Sequence, residues 1–179
     1  MALTVEDGSL VSGAEAYASV AAADAYWALR THLALSTTWA AATTAVREGA
    51  LREAAEYLDG RYNQFYRGRR RGYVQGLEWP RVEAEDEEGY PLPDLPQVLI
   101  DANIQLAARA ISTPLADDQD RYGRVKRFRE RVEGAIDEEI EYAGAGATAE
   151  KNYGIIERML APILNGLQAT ADQPTWNWR

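Results

Sequence analysis

Apolar side chains recur at every third or fourth position between residues 44 and 62, and this pattern predicts an amphipathic helix with one buried face. The apolar positions are Val46, Ala50, Leu51, Ala54, Ala55, Leu58 and Tyr62. Thr43 or Thr44 can cap the first turn with its hydroxyl group, and Gly60 is placed for a left-handed cap after Asp59. We expect the rest of the chain to be organised around this helix.

Helix signals also lie on both sides of this segment. A first helix should begin after Ser19 or Asp24 and end near Leu33, and residues 36–38 should form a loop. A long helix should open at Asp94, whose carboxylate can cap its first turn. Because few of the side chains that follow are polar, this second long helix should be the most buried one.

The segment from residue 124 to residue 142 fits two patterns. Four apolar residues lie four positions apart, as in a helix: Phe128, Val132, Ile136 and Ile140. However, Gly134 stands in the middle of the segment, and residues 138–142 alternate as in a strand. A β-hairpin with its turn near Gly134 is therefore the alternative to a helix. Both structures remain open from the sequence.

The C-terminal tail, residues 169–179, has no periodicity. It carries Trp176 and Trp178 and ends at Arg179. Two tryptophans cannot be buried within such a short polar segment, so they should dock on this chain or on another one.

These patterns predict a mainly α fold, a small bundle of about four helices with an extended, hairpin-like arm and an irregular C-terminal tail. The last helix, around residues 155–167, should contain a kink at Pro162. The expected divisions are a helical core over 1–123, the arm or hairpin over 124–147, a C-terminal helix packed on the core over 148–168, and the tail over 169–179.

Charge and composition narrow the function. The 179 residues carry a formal net charge of −9, which disfavours nucleic acid as a partner of the whole surface, since phosphate binding depends on Lys and Arg contacts. Without cysteine the chain has neither disulfides nor thiolate chemistry. It lacks an apolar run long enough to span a membrane and the pattern of a signal peptide, so we expect no membrane association and no export.

Enzymatic motifs are weak or missing. The only histidine, His32, lies near a helix end and is better explained as a surface residue. The acidic residues at 117–120 lack the glycine and distal glutamate of a calcium loop, and those at 83–88 are typical of a solvated loop. Gly144-Ala145-Gly146 lacks the third glycine of a dinucleotide site. We expect no catalytic residue, no metal and no cofactor.

The loop after the helix at 44–62 combines arginines with aromatic residues: Arg61, Arg67, Arg69, Arg70 and Arg71 with Tyr62, Phe65, Tyr66 and Tyr73. That composition is typical of a surface on which single-stranded nucleic acid stacks. The competing interpretation, which the acidity of the chain favours, is that the arginines pair with the acidic loop at 83–88 in the same subunit or in a neighbour.

An ordered set of stretches resembles the head–tail adaptor (connector) proteins of tailed bacteriophages, some of which carry a DnaT-like single-stranded-DNA-binding name. The resemblance covers roughly residues 3–167. The stretches that carry it are Val5–Ser9 with Gly13–Tyr17, Ser19–Tyr26, Trp39, Ala50–Asp59, Tyr62 with Arg67-Gly68-Arg69, Leu77-Glu78-Trp79-Pro80-Arg81, Leu95–Val98, Arg124–Lys126 and Glu141–Ala143.

The resemblance implies a structural virion protein rather than an enzyme, a homo-oligomeric ring, twelve-fold, at the neck where head and tail join. It would bind the portal protein on one side and the tail or a second connector on the other. Genomic DNA would pass through its lumen without sequence-specific binding, and the chain would be made in the cytoplasm of the host bacterium.

Extended arms commonly reach neighbouring subunits in such proteins. The expected partner-binding residues are therefore the arginines of the loop, the apolar positions of the arm and the end of the tail: Arg67, Arg69, Arg70, Arg71, Phe128, Ile136, Ile140, Tyr142, Trp176, Trp178 and Arg179. The alternative is a DnaT-like single-stranded-DNA-binding protein of replication, which would use the four arginines with Tyr66 and Tyr73.

Overall fold

The structure is a computed structural model that describes residues 2–116, 125–132, 136–142 and 153–166, with the backbone alone described for 125–132 and 136–142. The elements in chain order are α1 (Val20–Ala28), α2 (Ala34–Ala41), α3 (Thr44–Tyr62), β1 (Arg69–Arg70), β2 (Arg81–Val82), α4 (Gln97–Ala110), β3 (Val125–Val132), β4 (Ile136–Tyr142) and α5 (Gly154–Leu160). A 3₁₀ turn, Ala161–Ile163, follows α5. The fold is mainly helical, as predicted. Two compact units divide the chain, Met1–Leu115 with Tyr153–Arg179 and Ala116–Asn152.

Helix α3 forms the centre of the first unit together with α4. Thr43 caps it, because its hydroxyl group accepts a hydrogen bond from the amide of Val46 at 3.4 Å. Six residues of the predicted apolar face are buried: Ala50, Leu51, Ala54, Ala55, Leu58 and Tyr62. The prediction that Gly60 ends the helix is wrong, since the helix continues to Tyr62, whose buried side chain extends the apolar face.

Helix α4 packs along α3 and is the most buried helix of the described part, as predicted from its apolar sequence. Asn103 in its middle is fully buried, and both ends of its amide are satisfied. The side-chain nitrogen donates to the Leu51 carbonyl at 3.1 Å, and the side-chain oxygen accepts from the Ala18 amide at 3.1 Å. One buried amide therefore joins α4, α3 and the N-terminal segment.

The predicted N-terminal cap is confirmed for α1 and wrong for α4. Ser19 caps α1 as expected, because its hydroxyl group accepts a hydrogen bond from the Ala22 amide at 3.1 Å. Helix α4 begins at Gln97, so the prediction that Asp94 caps it is wrong. The Asp94 carboxylate instead forms an ion pair with Arg71.

Residues 36–38 lie within α2, so the predicted loop is wrong. Trp39 is buried here, and its indole N–H donates to the Asp24 carboxylate at 2.7 Å. The Ser36 hydroxyl group donates to the Trp27 carbonyl at 3.2 Å. Burial of Trp39 and satisfaction of Ser36 therefore outweigh the weak helix propensity of Ser and Thr.

Helix α5 packs against α4 and buries Ile156 and Leu160. The prediction of a helix that continues past a kink at Pro162 is wrong, because α5 ends at Leu160 and the 3₁₀ turn Ala161–Ile163, which contains Pro162, is followed by extended backbone at Leu164. Beyond that turn the backbone of Leu164 pairs with that of Tyr66, which connects the end of the described chain to the residue just before the arginine-rich stretch 67–71.

The N-terminal segment, predicted to be irregular, is held by a buried carboxylate. One carboxylate oxygen of Glu6 accepts from the amides of Gly8 at 2.9 Å and Leu10 at 3.1 Å, and the other accepts from Val11 at 3.0 Å. Glu6 is 3% exposed, so these charge-assisted hydrogen bonds compensate its burial. The segment is consequently an ordered part of the first unit.

Residues 125–142 form two antiparallel strands, so the hairpin alternative is correct and the helical one is wrong. The Cα partners include Phe128 with Ile140 and Val132 with Ile136, and the strands end on either side of Gly134. The strand-like alternation of residues 138–142 is thus the decisive part of the pattern. Among the described residues no helix is both long and apolar enough to cross a membrane.

Candidate functional site

The arginine loop, residues 67–71, is closed by a short ladder in which β1 pairs with β2. Gly68 has a φ of +69° and lies so close to the opposite strand that a Cβ atom would come within 2.7 Å of the Ala84 amide. Arg69 and Arg70 of β1 face Val82 and Arg81, respectively, as Cα partners. The backbone that presents the arginines is therefore fixed by a glycine and by strand pairing.

Arg69 and Arg67 reach the acidic loop at 83–88, as the pairing interpretation predicts. The Arg69 guanidinium binds the Glu83 carboxylate with two nitrogens, at 2.9 and 2.7 Å, and these hydrogen bonds lower the pKa of Glu83. Arg67 lies 3.4 Å from the Glu87 carboxylate and donates to the Glu85 carbonyl at 3.3 Å. The pairs form within one subunit.

Arg70 and Arg71 have carboxylate partners outside that loop. Arg70 lies 3.9 Å from the Glu78 carboxylate, and its side chain stays 43% exposed. Arg71 pairs with the Asp94 carboxylate and donates to the Gly8 carbonyl at 3.0 Å. All four arginines of the candidate nucleic-acid surface are thus paired with acidic side chains of their own chain.

The aromatic residues of the loop do not share one surface. Tyr62 and Tyr66 are 1% and 3% exposed, whereas Tyr73 is 93% exposed. Tyr66 packs edge-to-face on the buried ring of Trp79, with ring centroids 6.0 Å apart. The interleaved arginines and aromatic rings therefore do not form a continuous stacking platform, and Tyr73 alone of these three tyrosines lies where a base or a protein could reach it.

A buried polar cluster lies beneath the loop, and sequence reasoning missed it. The Tyr17 hydroxyl donates to one oxygen of the Asp59 carboxylate at 2.6 Å, and the Glu78 amide donates to the other at 3.0 Å. The Tyr17 oxygen also accepts from the Trp79 amide at 3.3 Å. Burial raises the pKa of Asp59 to about 6, because inside the fold the ionised carboxylate lacks the hydration that stabilises it in water.

This cluster joins the N-terminal segment, the end of α3 and residues 78–79, which precede a cis peptide bond at Trp79-Pro80. Burial, and next the Asp59 charge, raise the pKa of Tyr17 well above its ordinary value. Sequence reasoning placed Asp59 only next to a helix end. No local sequence pattern connects Asp59 with Tyr17 or with Glu78, which lie 42 and 19 positions away, so the sequence offered no signal for this cluster.

The other expected partner-binding residues are placed only in part. In the hairpin, the backbone puts Phe128 opposite Ile140 and Tyr142 opposite Val125. The tail residues Trp176, Trp178 and Arg179 lie outside the described residues. The acidic residues at 117–120 and the glycines at 144 and 146 also lie outside them.

His32 is exposed, as predicted for a surface residue. In the described part of the chain, no three side chains of His, Cys, Asp or Glu are grouped closely enough to hold a metal ion.

A family model described as "Putative DnaT-like ssDNA binding protein" matches residues 1–174. The chain belongs to this family. Curated proteins and solved structures gave no match. The membership agrees with the DnaT-like name within the resemblance, and the comparisons give no evidence for a head–tail adaptor.

Proposed function

We propose that this member of the DnaT-like family is a structural assembly protein, a head–tail adaptor subunit that forms a ring between the portal and the tail or a second connector of a bacteriophage. The proposal combines the ordered resemblance of residues 3–167 with one observation that carries it. The arginines that could bind nucleic acid are paired with carboxylates of their own chain, and two of the accompanying tyrosines are buried.

The charge of the chain suits a channel that DNA crosses without being held. The electrostatic part of nucleic-acid binding comes from Lys and Arg contacts to phosphates, and the net charge of −9 gives an excess of the opposite sign. Arg69 and Glu83, for example, already neutralise each other at 2.7 Å. A ring of such subunits would repel the DNA backbone weakly and let it pass through the lumen.

The hairpin favours assembly. Strands β3 and β4 form a two-stranded sheet, so each has one edge that no other described strand covers. An isolated two-stranded hairpin is marginally stable in water, and open edges pair readily with other chains. We therefore retain the hairpin, with Phe128, Ile136, Ile140 and Tyr142, as an arm for a neighbouring subunit or the portal.

The test is the mass and shape of the purified chain, alone and mixed with its cognate portal, by light scattering and electron microscopy. The proposal requires a ring, either of the chain alone or formed from monomers on the portal. If the chain forms no ring and does not bind the portal in either measurement, the proposal is contradicted.

The family description favours a second candidate, binding of single-stranded DNA by the four arginines of the loop together with Tyr66 and Tyr73. That activity would require Arg67, Arg69, Arg70 and Arg71 to exchange their carboxylates for phosphates. Four phosphate contacts on a single strand would make log K fall with log salt at a slope of about −3. An affinity for oligonucleotides that shows this slope and disappears in an Arg69→Ala, Arg70→Ala variant would favour this candidate over the adaptor.

A further inference from the structure

Residues 72–76 form a loop that displays two adjacent apolar side chains. Tyr73 is 93% exposed and Val74 is 91% exposed. They are the two most exposed large apolar side chains of the described part of the chain. Neighbouring exposed apolar side chains can mark an interaction site, and we call this pair the tip.

The tip is built rigidly. The Gln75 side-chain oxygen accepts from the Gly72 amide at 2.9 Å, and its nitrogen donates to the Leu77 carbonyl at 2.7 Å. At the base of the loop the Arg71 amide donates to the Pro80 carbonyl at 3.1 Å. A loop braced in this way loses little conformational entropy on binding, which is the property of a preorganised anchor.

Its sides also fit closely against the N-terminal segment. A Cβ atom on Gly76 would lie 2.8 Å from the Ala14 carbonyl oxygen, and one on Gly72 would lie 3.1 Å from the Leu10 side chain. The glycines therefore allow the loop to lie against residues 10–14. This packing leaves Tyr73 and Val74 directed to solvent while their backbone is supported from below.

A groove of about 280 Å³ lies elsewhere on the same unit, between α1 and α4. Its lining is mainly apolar and includes Ala25, Leu29, Ile100 and Ile104. Leu29 on its rim is 82% exposed, so the groove, like the tip, presents apolar surface without a partner in the described part of the chain. The chain therefore carries an apolar projection and an apolar depression at different places.

We propose that the tip of one copy of this chain inserts into the α1–α4 groove of a second copy. A projection that fits a separate depression on an identical molecule makes a heterologous contact, and such contacts close into rings when the rotation between copies allows it. The inference rests on the proposed function and deepens it, because it names the contact that builds the ring.

Two polar features favour a copy of the chain as the occupant. Arg30 stacks on Tyr26 at the groove, with its guanidinium carbon 3.5 Å from the ring centroid, and provides a flat cationic face for the ring of Tyr73. Arg70 beside the tip is 43% exposed, and Asp101 lines the groove, so an Arg70–Asp101 ion pair can form across the contact while Arg30 stays stacked on Tyr26.

Because the chain has no cysteine, the contact can be mapped by disulfide cross-linking in an otherwise intact protein. A full-length chain with Tyr73→Cys is mixed with one carrying Leu29→Cys, assembled with or without the portal, and oxidised mildly. The matched control replaces Leu29→Cys by Ile155→Cys, a half-exposed residue of α5. The proposal requires a disulfide-linked heterodimer with Leu29→Cys and at least about tenfold less with Ile155→Cys.

A second variant tests the energetic role without new bonds. Tyr73→Ser with Val74→Ser removes both apolar side chains from a loop whose bracing involves Gln75 and the backbone, and should weaken association of copies more than about tenfold. Unchanged thermal unfolding would show that the fold is intact.

The outcomes separate this inference from the proposed function. Rings that form without the Tyr73–Leu29 cross-link, or that persist in the double serine variant, would overturn the inference and leave the adaptor standing. A specific cross-link in a protein that never forms a ring would support the contact but contradict the adaptor. Oligonucleotide binding that the serine variant abolishes, with association of copies unchanged, would assign the tip to DNA and overturn the inference.

Discussion

Asp59 should make the stability of this protein depend on pH, and the variant Asp59→Asn should remove that dependence. The carboxylate is buried at the end of α3 and accepts hydrogen bonds from the Tyr17 hydroxyl at 2.6 Å and the Glu78 amide at 3.0 Å. Burial raises its pKa from an ordinary 3.8 to about 6. The native state therefore holds a proton that the unfolded chain releases more easily.

The sign follows from this difference. A carboxyl group with a raised native pKa contributes stability that is fully present below pH 3.8 and is lost as the pH rises through about 6. A shift of about two pKa units, at about 1.4 kcal/mol per unit, corresponds to about 3 kcal/mol of unfolding free energy lost across that window. Above it, the contribution of Asp59 no longer changes with pH.

The assay is urea unfolding of both proteins at several pH values between 4 and 7. An amide at position 59 presents a donor to the Glu78 amide if it still accepts from Tyr17, so the variant should be less stable than wild type by about 1–3 kcal/mol at pH 4, and this difference should shrink or reverse as the pH rises to 7. The informative quantity is consequently the slope with pH. Wild type should lose about 3 kcal/mol more than Asp59→Asn between pH 4 and pH 7.

Glu83→Gln is the matched control. The Arg69 guanidinium lowers the pKa of Glu83 through hydrogen bonds, so Glu83 contributes stability that is present above its ordinary pKa and lost on acidification. Replacing it should change the pH dependence in the opposite direction from Asp59→Asn. Parallel slopes for wild type and Asp59→Asn would refute the reasoning, because the buried carboxylate would then not titrate differently in the two states.

Three further substitutions test the structural basis of the site and of the core. Gly68→Ala should lower the free energy of unfolding by more than about 1 kcal/mol in thermal unfolding, because its φ is +69° and the new Cβ atom would lie 2.7 Å from the Ala84 amide. A double-mutant cycle on the exposed Arg69–Glu83 pair should give a coupling of at most about 1 kcal/mol, and a larger value would contradict its description as a surface ion pair. Asn103→Ala should cost about 2–5 kcal/mol in urea unfolding, since it leaves two buried main-chain groups unpaired, and a smaller loss would mean that those groups find other partners.

Local sequence patterns were sufficient to predict the helices in which buried residues recur at helical spacing. The face of α3 from Ala50 to Leu58 and the apolar run of α4 were predicted because each helix buries one side or nearly all of its surface. The same reasoning failed at Gly60 and at residues 36–38. In both places tertiary burial, of Tyr62 and of Trp39, extends or creates a helix whose local sequence favours a turn. Such contacts join residues that are far apart in the sequence, so a local sequence pattern does not reveal them.

The candidate site was harder to predict, because composition does not say which way a side chain points. The arginines and tyrosines of residues 62–73 have the composition of a stacking surface, yet Tyr66 is buried against Trp79 and Arg69 faces Glu83. A nucleic-acid surface needs its rings and cations exposed together, whereas here two of the rings stabilise the core and the cations pair with carboxylates of the chain. Tyr73 is the exception, since its side chain is 93% exposed on a loop that Gln75 braces. The deciding issue for this protein is therefore whether that one exposed ring meets a base or a neighbouring copy.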